Sequence, residues 1–210
     1  ICISPVFGKN NLTYFLPDLN LKSRVLNNQL LLVLGWKGEI VQNTFEALST
    51  KNPFMDNVYL PRQTKTDQVF GGFESAVGQH FSYGATLSWR QWKHLALFVN
   101  DYSDQPDGKR FQVVYDDKVQ ALSLDAFAHY QMGQVVELSA GGAWYNFYQT
   151  TTYDKVWHEP MLRLHASVDV HPVKKLNLHA GLHFWDGMYA LAENGKADKL
   201  PAFLDLGLSA

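Results

Sequence analysis

Along much of the chain every second residue is apolar. In 162–171 Leu162, Leu164, Ala166, Val168 and Val170 share one face, and Arg163, His165, Ser167, Asp169 and His171 share the other. In 176–185 Leu176, Leu178, Ala180, Leu182 and Phe184 oppose Asn177, His179, Gly181, His183 and Trp185. The same period of two marks 29–41, 81–90, 119–131 and 137–145, and marks 12–25, 68–77 and 202–210 more weakly, Pro17 lying inside the first of these. The pattern predicts nine strands and no long helix, with one short helical turn at "TFEALS", 44–49.

The connections carry a second rhythm. Short breaks at 26–28, 78–80, 132–134 and 172–174 alternate with long ones at 42–67, around "DYSDQPDGKR", at 150–160 and at 186–201. Alternating short and long connections predict a transmembrane barrel with tight periplasmic turns at one rim and extended extracellular loops at the other. The aromatic residues agree. Trp36, Trp89, Trp144 and Phe184 each lie about 8–11 residues from their own short turn, which at about 3.3 Å per residue and strong tilt spans an apolar band of about 25 Å. They are the candidate outer girdle; Phe81, Tyr83 and Tyr130, close to the short turns, are the candidate inner one.

Composition narrows the class. Aromatic residues make up 14% and charged residues 18%, yet mean hydropathy is −0.20, an odd mixture for a soluble core. A net charge of −2 gives no basic footprint, which argues against a nucleic-acid partner. Cys2 is the lone cysteine, so neither an internal disulfide framework nor a thiolate zinc site is available. The longest apolar run, near 30–34, falls far short of the roughly 20 residues of a membrane-spanning helix, whereas a barrel strand needs only about 9–11 alternating ones. A soluble sandwich also alternates, but its strands run about 5–6 residues. Its solvent face also favours Lys and Glu, where this polar face is mostly Ser, Gly, Thr, His and Asn. The expected fold is therefore all-β: an antiparallel up-and-down transmembrane β-barrel. Nine strands is an odd number, and an unpaired edge in lipid is costly. The chain, which opens at Ile1 without a signal segment, is thus expected to be a partial barrel that continues or pairs elsewhere.

The stretch "STKNPFMDNVYLPRQTKTDQVFGGFESAVGQHFSYGATLSWRQW" and the ending "GKADKLPAFLDLGLSA" resemble the carboxy-terminal barrel region of Bacteroidetes-type TonB-dependent outer-membrane receptors in strand length, loop spacing and composition. That resemblance implies a Gram-negative outer-membrane location and extracellular loops that capture a scarce ligand. It also implies a plugged lumen, coupling to TonB, and no enzymatic activity. Implied partners are outer-membrane lipid, the remainder of the barrel and its plug, TonB through segments outside this sequence, and a surface lipoprotein or other envelope subunit. The alternative is a structural or accessory barrel of a larger envelope complex without transport of its own.

Candidate chemistry follows from the faces. Glu39, Glu74, Arg90, Arg163, His165, His179 and His183 fall on the polar face and are expected to face the lumen. Pairing 161–171 with 175–185 about Val173 would set Arg163 opposite His183, His165 beside Gly181 and His179 beside Ser167. That is poor ligand geometry, so no metal site and no cofactor are expected. The aspartates of "DYSDQPDGKRFQVVYDD" lack calcium-loop spacing and read as a solvated turn built by Pro106, Asp107 and Gly108. No nucleophile motif occurs; His158, Asp154 and Thr150–Thr152 are neighbours only in sequence, and no catalytic residue is assigned. Phe54, Tyr59, Tyr102, Tyr148, Tyr153 and Trp157 are loop candidates for ligand contact, or pack loop on loop.

Overall fold

The computed structural model describes residues 2–6, 12–26, 29–56, 61–103, 108–133, 135–173 and 176–210, with side chains from Tyr14 onward. Tyr59 and the turn residues Pro106 and Asp107 lie outside the described residues. Two strands, β1 (Cys2–Val6) and β2 (Leu12–Leu16), form a hairpin. Then come β3 (Asp18–Val25), β4 (Leu30–Gln42), β5 (Gln63–Val77), β6 (Phe81–Asp101), β7 (Arg110–Met132), β8 (Val136–Gln149), β9 (Leu162–Val173) and β10 (Leu176–Asp186). A small hairpin of β11 (Tyr189–Leu191) and β12 (Ala197–Lys199) precedes β13 (Phe203–Ser209). Among the described residues nine strands, β3 to β10 and β13, make one antiparallel sheet in chain order. Eight predicted segments and the 18–25 half of the first contribute its strands.

Three differences from the predicted elements have physical causes. The segment 12–25 breaks at Pro17, which has no N–H for the ladder; its carbonyl still accepts from Gly38 at 2.6 Å, while 12–16 pairs with β1 instead. Strands β6 and β7 run far past the predicted 81–90 and 119–131, pairing as far as Asp101 with Arg110. In that upper part "LALFV" no longer alternates, because the strands pack against loops: Leu97, Val99 and Val119 form a core with Val156 and Trp157. The third is the register of β9 on β10. Pro172 and Val173, expected in the turn, belong to β9, and with a one-residue irregularity between Leu176 and Leu178 His183 lies opposite His165, Trp185 opposite Arg163 and His179 opposite Asp169, two residues from the expected pairing.

The predicted helical turn is α1 (Phe45–Lys51), capped by the Thr44 side chain accepting from the Ala47 N–H at 3.2 Å and pinned by buried Leu48.

Sheet register makes each face readable row by row. Trp36, Val69, Trp89 and Leu122 form one lateral row, and Leu34, Gly71, Leu87, Leu124, Trp144 and Leu162 form the next toward the short turns. Leu32, Phe73, Ala85, Ala126, Gly142, Leu164, Phe184 and Leu204 form the one after that. From Trp89 to Trp144 to Phe184 the aromatic thus steps down two residues for every two strands. Strands about 4.8 Å apart and tilted about 35–45° require a level line to shift by a little over one residue per strand. These residues are exposed or half-buried, Trp144 at 45% and Leu124 at 44%, as one continuous apolar face.

Glycines inside strands mark places where a large neighbour lies across the sheet. A Cβ on Gly84 would meet the Phe127 ring at 2.7 Å, and one on Gly141 would meet the His165 ring at 2.7 Å. Each is the direct cross-strand partner of the side chain that covers it.

Candidate functional site

On the polar face, period two projects Arg90 and Trp92 from β6, Asp125 from β7, Tyr145 and Phe147 from β8, Arg163 from β9 and Trp185 from β10. Register brings these together although they span almost a hundred positions. Both guanidinium carbons lie over the Tyr145 ring, that of Arg90 at 5.3 Å from its centroid and that of Arg163 at 5.6 Å. Arg90 donates to the Tyr145 hydroxyl at 3.0 Å and to the Asp125 carboxylate at 3.3 Å. Arg163 donates to Glu159 at 2.6 Å. Tyr145 stacks on Phe147 at 5.8 Å, and Phe147 meets Trp92 at 6.2 Å.

Phe54, whose carbonyl accepts from the Phe111 N–H at 3.1 Å, Phe111 at the upper end of β7, and the loop residues His158 and Glu159 complete a cleft of about 680 Å³ around this cluster. The Nε atoms of Arg90 and Arg163 are buried and have no partner among the described residues. Oriented N–H donors beside aromatic walls can hold a ligand that carries acceptor oxygens on a flat or apolar body.

The loops that form the cleft are tied down. Asp116, fully buried on β7, accepts four backbone N–H groups. Its Oδ1 takes those of Lys118 at 3.0 Å and Thr151 at 3.1 Å; its Oδ2 takes those of Thr152 and Tyr153, both at 3.1 Å. Burial, then the Asp116 charge, pushes the Tyr153 phenol above its ordinary value. His158 has left-handed backbone, packs edge-on to Phe111 at 5.3 Å and contacts the Asn100 Oδ1 at 3.0 Å through Nε2. The Asn100 amide nitrogen donates to the Gly108 carbonyl, so Oδ1 is the acceptor and His158 carries its proton on Nε2. Burial lowers the His158 pKa below the ordinary histidine value, which keeps the ring neutral.

The other sequence candidates divide by location. Phe54, 68% exposed, lines the cleft. Tyr102 covers Gly108 and reaches the Leu191 carbonyl at 3.5 Å, and Tyr153 packs against the Leu97–Trp157 core. Trp157, 3% exposed, is inside that core, where its ring packs loop on wall. Tyr148 stands on the apolar face, its hydroxyl accepting from the Trp89 indole at 2.7 Å. Glu39 pairs with Lys37 at 3.4 Å, and Glu74 is exposed opposite Leu31 and Gly84.

Nearer the short turns the polar face is histidine-rich. His165 is opposite His183, whose other neighbour is Asp205; His179 bonds Asp169 at 2.7 Å, and His129 bonds Ser139 at 3.1 Å. Among the described residues no three His, Cys, Asp or Glu side chains converge as a metal-binding group.

Trp92, Phe111, Asp125, Tyr145, Phe147 and Trp185 were not among the sequence candidates. A signal existed in the aromatic residues at polar-face positions, Tyr145 and Trp185. An aromatic ring there has to cover something, and here it covers arginine and other rings.

The sheet, its apolar outer face and its alternating connections define the wall of an antiparallel up-and-down transmembrane β-barrel. No family model matches the sequence, and no curated protein matches it. Solved structures do share its backbone. The copper transporter OprC matches with a TM-score of 0.59 and 12% identity, over 95% of this chain and 31% of that one. A mutant of the ferric enterobactin receptor PfeA from Pseudomonas aeruginosa matches with a TM-score of 0.58 and 14% identity, over 93% of this chain and 32% of that one. The FrpB iron transporter from Neisseria meningitidis gives 0.54 and 13%, over 92% and 31%. The chain therefore spans about a third of the length of the structures it resembles.

Proposed function

We propose that this chain is part of the barrel of a TonB-dependent receptor in a Gram-negative outer membrane, with its apolar face in lipid and its polar face in the lumen. On this reading the plug and the remaining strands belong to other parts of the protein. The extended upper ends of β6 and β7, with the loops they hold, then project to the cell exterior. The Bacteroidetes-type assignment rests on the resemblance in strand and loop style.

The observation that carries the functional reading is the Arg90–Tyr145–Arg163 cleft, open on the lumen side at the long-loop rim. A ligand entering from outside meets it before the histidine-rich lower wall. Support also comes from the barrels of a copper transporter, an iron transporter and a ferric enterobactin receptor, all of which share this backbone course.

The test uses cells that carry or lack the full-length protein. Loss of the protein should abolish accumulation of one solute supplied at trace concentration, and dissipating the inner-membrane proton gradient should do the same. Replacing Arg90 and Arg163 by alanine should weaken capture of that solute while the barrel still assembles. Accumulation that ignores both the protein and the gradient would refute uptake and leave an accessory barrel as the reading.

A further inference from the structure

Charge is distributed on the apolar face in a way that neither folding nor ligand capture uses. From the Trp36–Val69–Trp89–Leu122 row down to the short turns, no described position on that face of β4 to β9 carries a charged side chain; on β10 Asp186, opposite Leu162 at the strand's upper end, is charged and pairs with Lys199 at 3.4 Å. Two residues above this row come Gly38, Asp67, Gln91 and Gln120, the two glutamines bonded to each other at 2.8 Å. Two residues higher, Lys65 pairs directly with Lys93, and Lys93 directly with Lys118.

Like charges set directly opposite one another on adjacent strands repel. The repulsion here is compensated on one side only. Lys65 is bound to Asp67 at 2.9 Å, whereas among the described residues neither Lys93 nor Lys118 has an ion-pair partner. Asp116, two residues before Lys118 on β7, already holds four backbone N–H groups, and Asp117 faces Arg62 and His94.

Four residues along a strand tilted about 40° raise the lysines roughly 10 Å above the tryptophans. If the tryptophans mark the edge of the hydrocarbon, as the proposed outer-membrane location requires, the ammonium groups stand at headgroup level.

We propose that Lys65, Lys93 and Lys118 form a binding site for the phosphorylated headgroup of an outer-leaflet lipid, whose acyl chains lie down the Leu87, Leu122 and Leu124 surface. The apolar face and the cationic row are continuous, so a single amphiphile satisfies both. A phosphate bridging Lys93 and Lys118 removes the repulsion between them, and Gln91 and Gln120 offer amide donors just below. The inference rests on the membrane placement proposed above.

The experiment purifies the full-length protein from outer membranes in detergent and measures retention of lipid A by native mass spectrometry and by titration. Wild type should retain phosphorylated lipid A. Lys93→Gln with Lys118→Gln should lower affinity about 30-fold, about fivefold for each lysine. Lys93→Arg with Lys118→Arg should preserve it, and dephosphorylated lipid A should bind wild type no better than phosphorylated lipid binds the glutamine variant. Equal retention by wild type and the glutamine variant overturns the site. Displacement by excess inorganic phosphate also overturns it, by showing a free-anion site with no lipid contribution. A protein that fractionates away from the outer membrane overturns the membrane placement together with this inference, whereas an outer-membrane protein indifferent to lipid phosphate overturns the lysine site alone.

Discussion

Asp116→Asn tests whether one carboxylate organises the long-loop end of the sheet. The carboxylate is fully buried and accepts four N–H groups at 3.0–3.1 Å, two on each oxygen. Asparagine is nearly isosteric but keeps only one acceptor oxygen. Two of the four bonds are lost in either amide orientation, and an NH2 group then faces two N–H donors. Hydrogen bonds to a charged acceptor contribute about 1.5–3 kcal/mol each, so losing two costs about 3 kcal/mol or more. That corresponds to a rise of about 150-fold in the local opening equilibrium of residues 150–153. Hydrogen exchange on the full-length protein in detergent should show it at the Thr151, Thr152 and Tyr153 amides. Amides deep in the sheet, such as those of Ala126 and Ala140, should be unaffected. Unchanged protection at 151–153 would refute the clamp, and loss of protection everywhere would show that Asp116 supports the barrel as a whole.

Other expectations follow from the same geometry. Leu164→Arg, on the apolar face beside Gly142 and Phe184, should destabilise the barrel in lipid by about 2–4 kcal/mol, and His165→Ala on the opposite face should cost much less; equal tolerance in urea unfolding from vesicles would contradict the face assignment. Gly84→Val drives a side chain into the Phe127 ring and should cost about 1–3 kcal/mol, with Gly84→Val/Phe127→Ala recovering part of the loss. Because burial depresses the His158 pKa, the folded loop binds a proton less readily than the unfolded one. Its contribution is complete above about pH 6.5 and shrinks as pH falls below that value. Protease resistance of the loop containing His158 should therefore drop on acidification, and His158→Phe should flatten that dependence.

Much of the wall was readable because lipid and lumen act on alternate residues. An apolar side chain every second position assigns faces without any knowledge of which strands are neighbours, and connection length assigns the rims. Alternation fails where its cause ends. Above the tryptophans, "LALFV" packs against loops, so the upper halves of β6 and β7 left no period to read. Pro17 was visible as a disturbance, but only pairing shows that it hands the ladder from β2 to β3.

By itself the sequence determined the nine segments that make the main sheet and which face of each is apolar, since each depends only on residues near in sequence; the β1–β2 and β11–β12 pairs left no such period. The tertiary structure decided register. The pairing of β9 with β10 set His183 against His165, and the antiparallel register of β5 to β9 brought Lys65 beside Lys93 and Lys118, and Arg90 beside Tyr145 and Arg163. Lateral neighbours are chosen by hydrogen bonds between strands, and a shift of two residues keeps every side chain on its face while changing every partner. That degeneracy is why the faces were legible and the sites were not.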